Sequence, residues 1–188
     1  SDNPNLEIAE VDLLNEEKAR QFVESVISKY KTIDVAVLTV GGFVMGEMVD
    51  TKTSVVVAQY RLNFETTYNV AQPVFAQMMK QKTGRIFMIG SRAGLEARYS
   101  GNMIAYGLSK SLIFRLAELM NDESRGFGNN IVTSVIVPGS IDTPQNREKK
   151  FKSIDAVKPE EIADFIALYC NSMFDIIREP VIKVYGNP

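Results

Sequence analysis

The chain has 188 residues, of which 45% are hydrophobic and 23% charged, and its formal net charge is -2. This composition predicts a single compact domain over residues 1–188 and argues against a disordered or fibrous chain. Acids and bases are interspersed without a long basic block, so we expect a small-molecule partner and no nucleic acid. The sequence contains no histidine, which excludes Ser-His and Cys-His catalysis and imidazole metal ligands, and we expect no metal site.

Cys170 is the only cysteine and lies in the apolar repeat "EEIADFIALYC". This pattern favours a buried free thiol in a reducing compartment over a catalytic nucleophile. No apolar run approaches the roughly 20 residues that span a bilayer, and the opening "SDNPN" lacks the apolar segment of a signal peptide. We therefore expect no membrane partner and a cytoplasmic location.

Hydrophobic periodicity predicts an alternation of strands and helices. "NLEIAEVDL" reads as a short strand, and an amphipathic helix capped by Asn15 leads to "IDVAVLTV", a run typical of a strand buried on both faces. The helical stretch from about Thr51 to Gln81 contains Pro73, which predicts a kink or a break into two helices. Two later helices, from about Asn102 to Asn121 and in "KPEEIADFIALYC", alternate with the strands "GRIFMIG", "NIVTSVIV" and "EPVIKVY".

Strands that alternate with amphipathic helices predict an α/β fold, in which a parallel sheet carries helices on both faces. Ligands of such sheets bind just beyond the carboxyl ends of the strands. Three of these ends lead into glycine-containing turns, "TVGGF", "GSRAGL" and "PGSIDTP". Glycine lets a ligand approach the backbone closely, although any parallel sheet needs turn residues at these places.

Tyr106 and Lys110 lie four residues apart in "NMIAYGLSKS", at the start of a predicted helix. Positions i and i+4 share a helical face, so the ammonium can approach the phenol and lower its pKa from the ordinary value of about 10. Ser91, at a strand end, could donate a hydrogen bond to the same substrate oxygen. The alternative is a surface lysine beside a half-buried tyrosine, since such a pair also arises by chance.

Four motifs in order, "IDVAVLTVGG", "GRIFMIGSRAGL", "YGLSK" and "PGSIDTP", together with Asn63, resemble the short-chain dehydrogenase/reductase family. The resemblance implies a Rossmann-like, doubly wound fold and an oxidoreductase that uses NAD or NADP to move a hydride between the nicotinamide and a carbonyl or alcohol substrate. It implies that Tyr106 is the general acid/base and that Lys110 lowers the tyrosine pKa and holds the nicotinamide ribose. Ser91 would polarise the carbonyl, and Asn63 would organise a proton-relaying water.

The resemblance also implies contacts with the cofactor. The segment after "NIVTSVIV" matches the family's stretch along the nicotinamide, and "DL" resembles the acidic-hydrophobic pair that contacts adenine. "LTVGG" stands where the family usually has Asn-Asn-Ala-Gly, so contacts there must come mainly from backbone groups. The implied cofactor-binding residues are Asp12, Leu13, Val40, Gly41, Tyr106, Lys110, Pro138, Gly139, Ile141 and Thr143.

The family's Gly-rich turn after the first strand is absent from this sequence. Because "NLEIAEVD" resembles the third strand of the family, the first strands and helices are missing, and we expect a recovered or truncated part of a longer protein, with a truly short gene product as the alternative. The missing turn also motivates a second interpretation, a non-catalytic scaffold or regulator that has lost cofactor binding. A third is an enzyme of the dihydropteridine reductase branch, to which "VGGF", "NMIAYGLSK" and "SIDTPQNR" are similar.

The family assembles through apolar helices that correspond to residues 60–80 and 106–120, which implies a homodimer or homotetramer. "REKKFK", residues 147–152, occupies the place of the family's mobile substrate lid, and we interpret it as a solvated loop, with recognition of an anionic substrate as the alternative. Core packing is the alternative role for the apolar helix residues, which are Phe75, Met78, Met79, Ile113, Phe114 and Leu116.

Overall fold

The computed structural model describes residues 5–125, 128–148, 156–171 and 178–185. The strands are β1 (Val35–Leu38), β2 (Thr83–Ile89), β3 (Asn130–Pro138), β4 (Ser140–Ile141), β5 (Ala156–Val157) and β6 (Val181–Val184). The α-helices are α1 (Glu16–Tyr30), α2 (Thr53–Tyr60), α3 (Thr66–Gln81), α4 (Arg92–Leu95), α5 (Ile104–Arg125), α6 (Pro144–Glu148) and α7 (Pro159–Tyr169).

The main sheet is parallel and has the strand order β1-β2-β3-β6, and β4 pairs with β5 in a separate parallel pair. Alternate side chains of β2 point to opposite faces, so Ile86 and Met88 pack against α3 and α5, and Phe87 packs against α7. The predicted α/β fold, with a parallel sheet covered by helices on both faces, is therefore confirmed.

The first strand of the sheet differs from its prediction. Ala36 and Leu38 pack against the core, but Val35 and Val37 are 39% and 40% exposed, because no described element covers that face of β1. The prediction that this strand is buried on both faces is wrong. The strand predicted in "NLEIAEVDL" is also wrong, since residues 5–13 pair with no other strand in the described part of the chain, and Ile8 is 81% exposed.

The helical region from Thr53 to Gln81 is continuous in the structure. Its irregularity is a π-helical turn at Arg61–Glu65, and α3 continues through Pro73. The prediction of a break at Pro73 is therefore wrong, and the distortion falls roughly two to three turns earlier, at the segment that contains Asn63. Single π-turns inside α-helices often mark functional sites.

Most of the apolar helix residues proposed for subunit contact lie in the core. Phe75, Met78, Ile113 and Phe114 are buried in the cluster between the sheet and its helices, and Met79 and Leu116 pack against that cluster. The alternative of core packing therefore holds for these residues. The apolar side chains that α5 leaves exposed are different ones, namely Leu108, Leu112 and Leu119.

Cys170 is partly buried against the smaller core cluster around Phe87, so the prediction of a buried thiol is only partly right. Burial raises the pKa of this thiol, as expected of an unreactive cysteine. In the segment predicted as a substrate lid, Arg147 pairs with Asp142 at 2.5 Å, and residues 149–152 lie outside the described part of the chain. Among the described helices, none has the length and apolar character needed to cross a membrane.

Candidate active site

The carboxyl ends of β2 and β3 open into a cavity of about 420 Å³. Ser91 follows β2 after one glycine, Gly90. The end of β3 supplies Pro138, and the first turns of α5 supply Tyr106 and Lys110. The sheet order explains why these residues lie together, because β2 and β3 are neighbouring parallel strands whose carboxyl ends share one edge of the sheet. The lining residues are Phe43, Ile89, Gly90, Ser91, Arg92, Ala93, Tyr99, Met103, Tyr106, Lys110, Pro138, Gly139, Ser140, Ile141 and Asn146.

Ser91 and Tyr106 meet at this cavity. Ser91 is the N-cap of α4, where its Oγ accepts a hydrogen bond from the main-chain nitrogen of Gly94 at 3.1 Å, which fixes the side chain at the strand end. The same side chain is hydrogen-bonded to Tyr106. Phe43, on the loop after β1, contacts the Tyr106 ring edge to face, with 5.0 Å between ring centroids. The two hydroxyl groups are thus held together, and both can reach one substrate oxygen.

The pKa of Tyr106 is raised above its ordinary value. Burial is the larger cause, because it disfavours the charged phenolate, and the hydrogen bond with Ser91 acts in the opposite direction. The sequence predicts a pKa lowered by Lys110, and that prediction is wrong for this structure. The protonated phenol, which can donate its proton, is therefore the favoured form near neutral pH.

The reason lies in the direction of the Lys110 side chain. Its Nζ donates a hydrogen bond to the main-chain oxygen of Ile89 at 2.8 Å, and the residue is only 5% exposed. Burial lowers the Lys110 pKa to about 8. The lysine and tyrosine share the cavity, as the i, i+4 spacing predicts, but the ammonium is bound by the strand end.

Asn63 is fully buried in the π-helical turn. Its Nδ2 donates to the main-chain oxygen of Gly42 at 3.0 Å, to Oγ of Ser109 at 3.0 Å and to Gln59 at 3.2 Å. Its Oδ1 accepts from the main-chain nitrogen of Gly42 at 2.9 Å. The amide therefore joins the loop after β1 to α5, and its donors are all engaged. The proposed role in organising a water stays a prediction.

Gly41 lies between Asn63 and Lys110. A Cβ at this position would lie 2.6 Å from Asn63 Oδ1, closer than a Cβ can approach without a shift of its neighbour, and 3.2 Å from Lys110 Nζ, which is a tight contact. The glycine of "TVGGF" is thus required by packing against the candidate catalytic residues.

The residues predicted to bind a cofactor fall into two groups. Pro138, Gly139 and Ile141 line the cavity together with Tyr106 and Lys110. Thr143 lies just beyond it, where its Oγ1 accepts from the main-chain nitrogen of Asn146 at 3.3 Å.

The other predicted contacts lie apart from the cavity. Asp12 lines a separate surface cleft with Lys18 and Gln21. Leu13 accepts a hydrogen bond from Asn69 through its main-chain oxygen, at 2.9 Å. Val40 is 44% exposed in the turn that follows β1. The structure therefore gathers the residues assigned to the nicotinamide and leaves those assigned to adenine on a different part of the surface.

Several lining residues carry no signal in the sequence. The loop after β1, which carries Phe43, is attached to the start of α5. The main-chain nitrogen of Gly46 donates a hydrogen bond to the main-chain oxygen of Asn102 at 2.8 Å, and this places Phe43 beside Tyr106. Met103 enters the cavity from the same junction. Arg92 is visible in the strand-end motif "GSRAGL" as a charged residue next to Ser91. Its contact with the ring of Tyr185, far along the chain, is not visible in the sequence.

Comparison with known proteins identifies the family. The short chain dehydrogenase family model matches residues 2–154, and the chain belongs to this family. The chain is 32% identical over 154 residues to the acetoacetyl-CoA reductase of Acinetobacter sp. (strain RA3849), covering 79% of this chain and 59% of that protein. It is 25% identical over 186 residues to the 3-oxoacyl-[acyl-carrier-protein] reductase FabG of Thermotoga maritima, covering 94% of this chain and 74% of that protein.

Solved structures agree with this assignment at the level of the fold. A structure of ElxO with NADP bound superposes with a TM-score of 0.85 at 22% identity, covering 96% of this chain and 77% of that chain. The predicted membership of the short-chain dehydrogenase/reductase family and the Rossmann-like α/β fold are therefore confirmed.

Proposed function

We propose that the full-length protein is an NAD(P)(H)-dependent oxidoreductase that interconverts a carbonyl and an alcohol. The observation that carries this proposal is the hydrogen bond between Ser91 and Tyr106 at the mouth of a cavity that also holds Lys110. Family membership supports it, since the family consists of oxidoreductases that use a nicotinamide cofactor.

Tyr106 is the proposed general acid/base. In the reduction direction the phenol donates its proton to the oxygen of the substrate, and in oxidation the phenolate accepts the proton of the hydroxyl. Because burial raises the pKa of Tyr106, the chain by itself holds the tyrosine ready for reduction. Ser91 donates a second hydrogen bond to the same oxygen and stabilises the negative charge that develops there.

The cavity fits a nicotinamide group. Ile89, Pro138 and Ile141 give it an apolar wall suited to a flat ring, and the ammonium of Lys110 and the hydroxyl of Tyr106 are donors suited to ribose oxygens. When bound, the cofactor would supply or accept the hydride. Lys110, holding the ribose, would bring its positive charge to bear on Tyr106 and lower the pKa that burial raises.

The contacts assigned to the rest of the cofactor are also proposals. Gly41 would present its backbone to the cofactor, Val40 would contact it from the turn after β1, and Thr143 would contact the nicotinamide side. Asp12 and Leu13 would contact adenine. Asp12 supports its part in this assignment because it is exposed in a cleft that it shares with Lys18 and Gln21.

We also propose a cytoplasmic homodimer or homotetramer. Leu108, Leu112 and Leu119 form an exposed apolar stripe on α5, and Tyr60 and Tyr68 are exposed on the neighbouring helical region. Exposed apolar stripes of this kind support subunit contact. Sedimentation of the full-length protein at micromolar concentration should show the oligomer, and a monomer there would reject this part of the proposal.

The function is tested by titrating the full-length protein with NADH and NADPH and then following nucleotide oxidation with a panel of aldehydes and ketones. We expect micromolar binding of one nucleotide at least and turnover of part of the panel. A protein that binds neither nucleotide would instead be a non-catalytic scaffold or regulator. Turnover confined to a quinonoid dihydropterin would point to the dihydropteridine reductase branch.

A further inference from the structure

Arg92 is a second cation in the cavity, and the proposed chemistry does not use it. It directly follows Ser91 and lines the same cavity as Tyr106. Its guanidinium carbon lies 3.9 Å from the ring centroid of Tyr185 and 5.9 Å from that of Tyr99. Tyr99 lies seven residues after Arg92, whereas Tyr185 comes from the C-terminal end of the described chain, so the fold brings Tyr185 to this side chain. A guanidinium stacked on aromatic faces is held in place while its N–H groups stay available at the ring edges.

The guanidinium makes no ion pair with the described residues. Its Nε is buried without a hydrogen-bond partner there. Glu96 is the acid nearest in sequence, but its carboxylate pairs with Arg98 at 2.6 Å and approaches Lys183 at 3.9 Å. A buried donor without a partner is costly, which makes the position a candidate for a ligand that supplies an acceptor.

The charge of the cavity points in the same direction. Its described lining contains two cations, Arg92 and Lys110, and neither Asp nor Glu. Lys110 donates a hydrogen bond to the main-chain oxygen of Ile89 and is the cation assigned above to the ribose of the cofactor. Arg92 therefore supplies the positive charge that is left for a substrate, and it does so beside the serine that would bind the reacting oxygen.

Resting on the oxidoreductase function proposed above, we infer that Arg92 is a specificity-determining residue that binds an anionic group of the substrate, a carboxylate or a phosphate. The planar guanidinium suits both groups, because each presents two oxygens to a pair of N–H donors. Arg92 is adjacent to Ser91 and both line the same cavity, so one small molecule can carry the anionic group and the reacting carbonyl. Tyr185 and Tyr99 act as positioning residues for the guanidinium.

The test compares matched substrates in the full-length enzyme and in Arg92→Gln. Acetoacetate is paired with its ethyl ester, and dihydroxyacetone phosphate with dihydroxyacetone. We expect the wild type to favour the anion in at least one pair, and Arg92→Gln to lower kcat/KM for that anion roughly 10- to 100-fold while the neutral partner changes by less than about threefold. The pair that shows the effect tells carboxylate from phosphate. Arg92→Lys should retain part of the preference.

The control is Arg98→Gln. Arg98 also contacts the Tyr99 ring, with its guanidinium carbon 4.8 Å from the centroid, but it pairs with Glu96 and does not line the cavity. Its loss should leave the preference for anions unchanged. If Arg92 only supported the two rings, Arg92→Gln would lower kcat/KM equally for both members of a pair, and the inference would be overturned.

A binding measurement separates this inference from the function itself. The same four compounds are added to wild type and Arg92→Gln in the presence of the oxidised nucleotide, and the rise in melting temperature is recorded. A larger rise for an anion than for its neutral partner, lost in Arg92→Gln, supports the inference even if no compound is turned over. Equal rises in the melting temperature of wild type with an anion and with its neutral partner would overturn the inference. Turnover of neutral carbonyls alone would also overturn it, while leaving the oxidoreductase function intact.

Discussion

The ammonium group of Lys110 donates a hydrogen bond to the main-chain oxygen of Ile89, at 2.8 Å, where β2 ends at the candidate active site. This bond keeps a cation in a buried position without a carboxylate partner. Burial still disfavours the charged form, which lowers the Lys110 pKa to about 8. The site therefore holds a cation at some cost in stability, a cost that is tolerated where the cation has a function.

The cost should be visible in the pH dependence of stability. Because the folded pKa of Lys110 is about 8 and the ordinary value is 10.5, the unfolded chain binds more protons between these values. The contribution of Lys110 to the free energy of unfolding therefore rises by about 3 kcal/mol in total as the pH rises across that window. The gain is absent below the window, where the folded and unfolded chains both bind the proton. Urea denaturation measures the free energy of unfolding of wild type and of Lys110→Met at pH 7 and at pH 10. Relative to Lys110→Met, wild type should be more stable at pH 10 than at pH 7.

The control for this measurement is Lys52→Met, which removes an exposed lysine. Its stability relative to wild type should stay the same at both pH values. Parallel pH profiles for wild type and Lys110→Met would contradict the assigned cost of burial.

Replacement of Ser91 by alanine should affect both chemistry and titration. The variant loses the hydrogen bond that lowers the Tyr106 pKa, and it loses a donor to the substrate oxygen. We expect kcat to fall about 10²- to 10³-fold and the acidic limb of alcohol oxidation, where the rate rises as Tyr106 loses its proton, to move to higher pH. Loss of the cap on α4 should also cost about 1 kcal/mol. Steady-state rates over a pH range measure the first two effects, and Ser91→Thr, which keeps the hydroxyl, should recover most of the rate.

Asn63→Leu removes an amide whose four hydrogen bonds are all internal. Both main-chain groups of Gly42 and the side chain of Ser109 would lose a buried partner, so we expect a loss of about 3 kcal/mol in the free energy of unfolding. Chemical denaturation measures it. Gln59→Leu breaks only one of these bonds and should cost about 1 kcal/mol. Equal losses in the two variants would mean that the amide does not join the loop to α5.

Gly41→Ala tests the close packing at the end of β1. The added methyl group would lie 2.6 Å from Asn63 Oδ1, which its own hydrogen bonds hold in place, so we expect about 1–3 kcal/mol of destabilisation and weakened nucleotide binding. Gly101→Ala is the matched control, because an added Cβ there has no atom within 4 Å. Thermal melting and nucleotide titration of the two variants should therefore separate clearly, and an unaffected Gly41→Ala would refute the packing argument.

The sequence predicts those parts of the fold that local pattern decides. The run "NIVTSVIV" forms β3 because a continuous β-branched segment suits a strand buried on both faces. Residues 5–13 alternate apolar and polar side chains, as a half-buried strand does, but form no strand, because a strand exists only with a hydrogen-bonding partner and the described chain offers none. The helical period likewise places Phe75 and Met78 on an apolar helix face. It does not show whether that face packs in the core or against another subunit.

The candidate site was predictable to the extent that chain order and strand ends determine it. Ser91 and Tyr106 meet because one follows β2 and the other begins the helix that precedes β3. The direction of Lys110 was not predictable, since a flexible side chain turns to whichever acceptor the tertiary structure offers. The contact between Arg92 and the ring of Tyr185 was not predictable either, because Tyr185 is distant in the sequence.

The most direct test of the account is the rate of carbonyl reduction by Tyr106→Phe in the full-length protein. The variant keeps the ring and its edge-to-face contact with Phe43 but lacks the proton that is donated to the substrate. We predict wild-type nucleotide affinity, an unchanged melting temperature within about 2 °C, and a rate lowered 10²- to 10⁴-fold, the range expected for loss of a general acid. A variant that binds nucleotide and reduces the substrate at the wild-type rate would show that the proton comes from elsewhere and would contradict the assignment of Tyr106.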